Sequence, residues 1–210
     1  MTPTGTRAAL PLLVAIVVAG RATAQQPDSR LERMDAATRP TVAALVDSAR
    51  AAMLPTEPLV QRALEGATKR ASGDAIVAAV RRLAADLGHA RDALGATASP
   101  AELSAGAAAL RAGASLTTLA QLRHARREPL TVPLAVLADL VASGVPVDSA
   151  AAAVLGLAAR ARDADLVEFR RAVERDIALG APPAAATAAA ATASDVFVNA
   201  GARQQRPGPP

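Results

Sequence analysis

Residues 99–127 read SPAELSAGAAALRAGASLTTLAQLRHARR, and this stretch decides the fold. Ser99-Pro100-Ala101-Glu102 is a helix start. The serine caps, the proline fills the first helical position where its missing N–H costs nothing, and Glu102 reaches back to the cap. A run of good helix formers then ends at Gly113, which suits the left-handed position just beyond a helix C-terminus. Apolar residues resume behind it, with Leu119 and Leu122 on one face. The spacing predicts helices over 100–112 and 116–127 joined by Gly113-Ala114-Ser115.

The same theme extends in both directions. Gly66-Ala67, Gly144-Val145-Pro146 and Gly180-Ala181-Pro182 read as further links. Gly66, Gly113, Gly144 and Gly180 are thus expected as helix caps. Thr56 with Pro58, Thr131 with Pro133, and Asp163 read as helix starts. Val42, Leu45, Val46, Ala49 and Met53 recur at the spacing of one helix face. Further helices are expected over 42–53, 58–65, 74–94, 133–143, 147–161, 164–179 and 182–193. No β-branched alternating run and no Asn-Gly hairpin signal occurs. The fold class is all-α: an array of about four helical hairpins, α-solenoid-like, or an irregular helical bundle. Tetratricopeptide units need aromatic positions and ankyrin units a Thr-Pro-Leu-His run, and the chain has neither.

The first 24 residues carry a different message. Arg7 is the sole charge ahead of the apolar run Ala8–Gly20, and Ala22-Thr23-Ala24 places small residues at both pocket positions of a cleavage site. Residues 1–24 are read as a signal peptide cut between Ala24 and Gln25, which makes the protein periplasmic or secreted. The apolar run is too short to cross a bilayer and contains Pro11, so no membrane span is expected in the mature chain. Residues 25–40 are polar and read as a flexible N-terminal segment. Residues 41–193 form the helical domain, and residues 194–210, ending RQQRPGPP, read as a disordered tail.

Composition sets limits. The 210 residues include no Cys, Trp or Tyr and two Phe, Phe169 and Phe197. An exported chain without cysteine rests on packing alone, and alanine buries little area per residue. The net charge is +4, and removing Arg7 and Arg21 with the signal leaves 21 basic against 19 acidic residues. That near-balance gives no electrostatic argument for nucleic acid.

Side chains able to do chemistry are few. His89 lies between Asp86 and Asp92, but the wheel defined by Leu83, Leu87, Ala90 and Leu94 turns Asp92 to the opposite side, among Arg81, Arg82 and Arg91. A solvated charged face accounts for it better than a metal. His124 stands among Arg123, Arg126 and Arg127. No Gly-x-Ser-x-Gly, Ser-x-x-Lys, Gly-x-Gly-x-x-Gly or P-loop is present. No catalytic residue, metal or cofactor is expected. Residues 105–124 resemble a helix-turn-helix, with the Arg cluster where phosphates would sit, but an exported protein meets no chromosomal DNA. Helix 164–179 is amphipathic, with Leu166, Val173 and Ile177 against Arg170, Arg171 and Arg175. The interleaved acids favour intrahelical pairs such as Glu168–Arg171 over a membrane surface. The sequence thus points to a non-catalytic exported module whose partner is an unidentified protein. DNA binding (were the signal misread) and peripheral membrane association stand as alternatives.

Overall fold

Helix starts and stops written in the sequence set the boundaries of nine α-helices in a computed structural model that describes residues 28–127 and 129–204, with side chains to Ser194. They are α1 (Arg39–Ala51), α2 (Glu57–Thr68), α3 (Gly73–Leu94), α4 (Pro100–Ala112), α5 (Leu116–Ala125), α6 (Thr131–Ala142), α7 (Val147–Ala158), α8 (Asp163–Ala178) and α9 (Pro183–Gln204). The described residues contain no strand, so the fold is all-α. The signal-peptide reading, with Ala22, Ala24 and Gln25, lies outside the described residues.

The helices fall into two layers. One holds α1, α3, α5, α7 and α9, each against the next; in the other α4, α6 and α8 lie side by side, and α2 packs across onto α3. Between the layers lies a core of short aliphatic side chains, centred on Leu87, Leu119, Leu134, Leu137, Leu140 and Phe169, all essentially inaccessible. Small residues let the helices close up. A methyl on Gly106 would lie 3.1 Å from the Ala90 Cβ and 3.1 Å from Leu94. This bare position lets α4 sit closely against α3.

Five helices end alike. After α1, α2, α4, α6 and α8 the chain makes paired bonds back into the last turn. Examples are Ala114 N–H to Ala109 O and Gly113 N–H to Leu110 O, or Val145 N–H to Leu140 O and Gly144 N–H to Val141 O. This is the Schellman closure, which satisfies the orphan carbonyls. The residue in the left-handed region is Gly113 (φ 109), Gly144 (φ 89) and Gly180 (φ 97) for the last three, but Met53 (φ 59) and Arg70 (φ 55) for the first two.

Gly66 is therefore not a cap. It lies inside α2, and Arg70 takes the turn four residues on. A Cβ on Gly66 would meet Ile76 Cγ1 at 2.8 Å, so this glycine serves the close crossing of α2 and α3. The segment 25–40 is also less loose than expected. Ser29–Arg33 form a 3-10 helix capped by Asp28, and Leu31 and Met34 are buried against α2 and α1. Its polar letters conceal two apolar anchors at i, i+3. At the other end α9 runs beyond 193 to Gln204, because no proline or tight cap interrupts an alanine-rich helix there.

Candidate functional site

The polar residues brought together by the fold lie mainly at the loops between hairpins. Arg126, just past α5, is only 5 % exposed. One terminal nitrogen donates to Ala161 O at 2.8 Å and Ala158 O at 3.4 Å, and the other to Asp163 Oδ1 at 2.6 Å. A planar five-donor guanidinium suits a site with several acceptors in different directions. Arg126 thereby ties the α5–α6 loop to the carboxyl end of α7 and the start of α8.

Glu102 does the same one loop earlier. Its Oε2 accepts the Ser99 N–H at 2.8 Å, completing the expected capping box, while its Oε1 accepts the Leu130 N–H at 2.9 Å where α6 begins. Burial pushes the Glu102 carboxyl upward, but the Ser99 and Leu130 N–H bonds outweigh it and hold the pKa below its ordinary value. Both oxygens thus accept backbone N–H groups.

Other expected residues fall as follows. Asp163 is the first residue of α8 and not its cap; the residue preceding it, Arg162, takes the cap position. The reaching carboxylate is Asp165, which accepts the Arg162 N–H at 2.9 Å. His89 and His124 are exposed on α3 and α5. Among the described residues no three His, Asp or Glu side chains gather closely enough to hold a metal ion. Arg91 leaves the charged face of α3 and donates to Ala52 O at the end of α1. Glu168 and Arg171 pair at 2.7 Å on α8, and Arg170 reaches Asp139 across to α6. Of the three arginines in the helix-turn-helix resemblance, Arg126 is turned inward, and α5 is flanked by α3 and α7. Among the described residues no helix is long and apolar enough to cross a membrane.

One shallow depression lies where α2 meets α3. Gly66, Ile76 and Ala79 form its floor, and Arg62, Glu65 and Lys69 its rim. The rim charges satisfy one another, with Lys69–Glu65 at 2.6 Å and Arg62–Glu65 at 3.1 Å.

No local signal marks the Arg126 role, since an arginine in a basic run reads as solvated. Glu102 was visible as a capping residue, but its second oxygen was not. The surface left open is the outward side of the α3, α5, α7 and α9 layer. It grades from Arg81, Arg82 and His89 on α3, through Thr117, Gln121 and His124 on α5, to Ala152 and Gly156 on α7 and alanines on α9. Compared with known proteins, the chain matches no family model, no curated protein and no solved structure.

Proposed function

We propose that this chain is an exported, non-catalytic helical protein whose stacked hairpins serve as an interaction or structural module. The observation that supports the interaction reading most directly is the row of helices α3, α5, α7 and α9, each packed against the next. It offers a broad graded surface in place of an enclosed polar site, as helical arrays that bind partners do. The buried charged groups, Arg126 and Glu102, hold loops to one another, which supports a structural part for them. The export reading rests on Arg7, the apolar run Ala8–Gly20 and Ala22-Thr23-Ala24. The partner is a protein not identified by any residue on this surface.

Two measurements test the reading. Intact-mass analysis of protein from its native host is expected to give a chain beginning at Gln25; a full-length species as the main form would sink the export reading. Capture with the wild-type chain, against a variant carrying Arg82→Glu and Gln121→Arg on the graded surface, is expected to lose one defined binder. An identical set of captured proteins for both baits would remove this surface from consideration.

A further inference from the structure

The hollow between α2 and α3 combines an apolar floor with a basic rim. Ile76 and Gly66 meet at its base, where a Cβ on Gly66 would already lie 2.8 Å from Ile76 Cγ1. Ala75 and Ala79, one turn apart on α3, and Ala71 ahead of that helix add only methyl groups. The hollow has a volume of about 110 Å³. That is less than the roughly 150 Å³ that accepts a benzene ring, and it suits one aliphatic side chain. On the rim Arg62 and Lys69 both bond Glu65. Arg70 stands between the lining residues Lys69 and Ala71, exposed, with no ion pair among the described residues. Three cations against one acid leave this rim at a net +2. Asp74, the next acid along the chain, does not line the hollow.

We propose that this groove receives an acidic segment of a partner protein, one aliphatic side chain of which seats on Ile76 while flanking carboxylates meet Arg62, Lys69 and Arg70. Charge decides against the chain's own ends. The segments outside the described residues there, 1–27 and 205–210, carry Arg7, Arg21 and Arg206 and no acid, so neither complements a rim of +2. Volume decides against a lipid, whose acyl chain would run past the hollow into water. In an acidic segment the opposite charge speeds encounter and fixes orientation, and the seated side chain is the anchor. The Lys69–Glu65 pair is exposed on both sides, 70 % and 46 %. Such pairs hold little, so a partner's carboxylates take over the rim cations at small cost. With one small anchor the contact is weak and is lost in salt. The proposal rests on the interaction reading and gives the partner a chemistry. The groove lies on the α2 side of α3, apart from the outward surface of the α3, α5, α7 and α9 layer, so its failure leaves that surface and its capture test standing.

The test is an NMR titration of the full chain labelled at its isoleucine δ1 methyl groups. The chain has three isoleucines, Ile16, Ile76 and Ile177. Ile76 lines the groove, and Ile177, on α8, is the internal reference. The probe is the end-blocked peptide Asp-Glu-Leu-Glu-Asp. It is expected to move the Ile76 signal saturably, to leave Ile177 in place, and to lose its effect in about 1 M salt, where charges are screened beyond about 3 Å. Lys69→Gln with Arg70→Gln is expected to lose most of the shift. Ala79→Leu, which fills the hollow and leaves the rim intact, is expected to lose all of it. Both variants are expected to keep the wild-type helical circular dichroism. No movement of Ile76, or an equal shift from Asp-Glu-Gly-Glu-Asp, from Lys-Lys-Leu-Lys-Lys or from octanoate, would each overturn the proposal. So would movement of Ile76 with protein concentration alone, which would seat a second copy of the chain there.

Discussion

At the scale of single residues, the left-handed positions carry the sharpest consequences. At Gly144 an added Cβ would find only Pro183 Cγ, at 3.9 Å, so space is not the obstacle. The obstacle is φ 89, which a β-branched residue resists. Gly144→Val is expected to cost about 1–3 kcal/mol, read as a lower urea midpoint. Arg82→Gln on the exposed side of α3 is expected to stay within about 0.5 kcal/mol. The reverse change is informative at Arg70, which is exposed and holds φ 55 without glycine. Relief of the left-handed strain outweighs the entropy glycine adds to the unfolded chain, so Arg70→Gly is expected to raise stability by roughly 0.5 kcal/mol. Sequence reasoning placed glycine at the turns after α4, α6 and α8 because a glycine ahead of a short link has one obvious use. It misplaced Gly66 because a packing glycine and a capping glycine look the same when the neighbouring helix is not in view. Gly73 is of the packing kind too: a methyl there would run into the hydroxyl of buried Thr38.

Between elements, the loops are where the fold is held. Arg126→Met would leave the Ala158 and Ala161 carbonyls without their donor and Asp163 without its cation. The expected loss is about 2–4 kcal/mol, measured by chemical denaturation. Glu102 gives a pH signature. Its pKa is lower folded than its ordinary value of 4.5, so its contribution is present above that value and fades as pH falls through the folded pKa. Wild-type stability is expected to drop between about pH 5 and pH 3, and Glu102→Gln, less stable near pH 7, to show a shallower drop over that window. A Glu102→Gln slope equal to the wild-type slope would show that the acid limb comes from the surface carboxylates. These ties were illegible in sequence because they join positions 28 and 35–37 residues apart. The capping box at Ser99, by contrast, is local, and four consecutive letters were enough to reveal it.

For the whole molecule, periodicity alone foretold nine helices, and most boundaries fall within three residues of those expected, because caps, glycines and prolines are local signals. Far-UV circular dichroism is expected to show helix without appreciable sheet; a strong sheet component would defeat the period-3.6 reading. What periodicity could not supply was the lateral arrangement: α4 packs mainly against α6 and α3, and its close approach to α3 depends on Gly106 meeting Ala90 and Leu94. The links closing α2, α4, α6 and α8, at positions 70, 113, 144 and 180, share one backbone closure. A junction between any two of them needs no new backbone turn. Unequal recombination between the codons for Gly113 and Gly144 would delete residues 114–144, removing one helix from each layer and rejoining α4 to Val145 through a turn the chain already makes. A gene of this kind can lengthen or shorten its product by whole helix pairs without having to invent a turn.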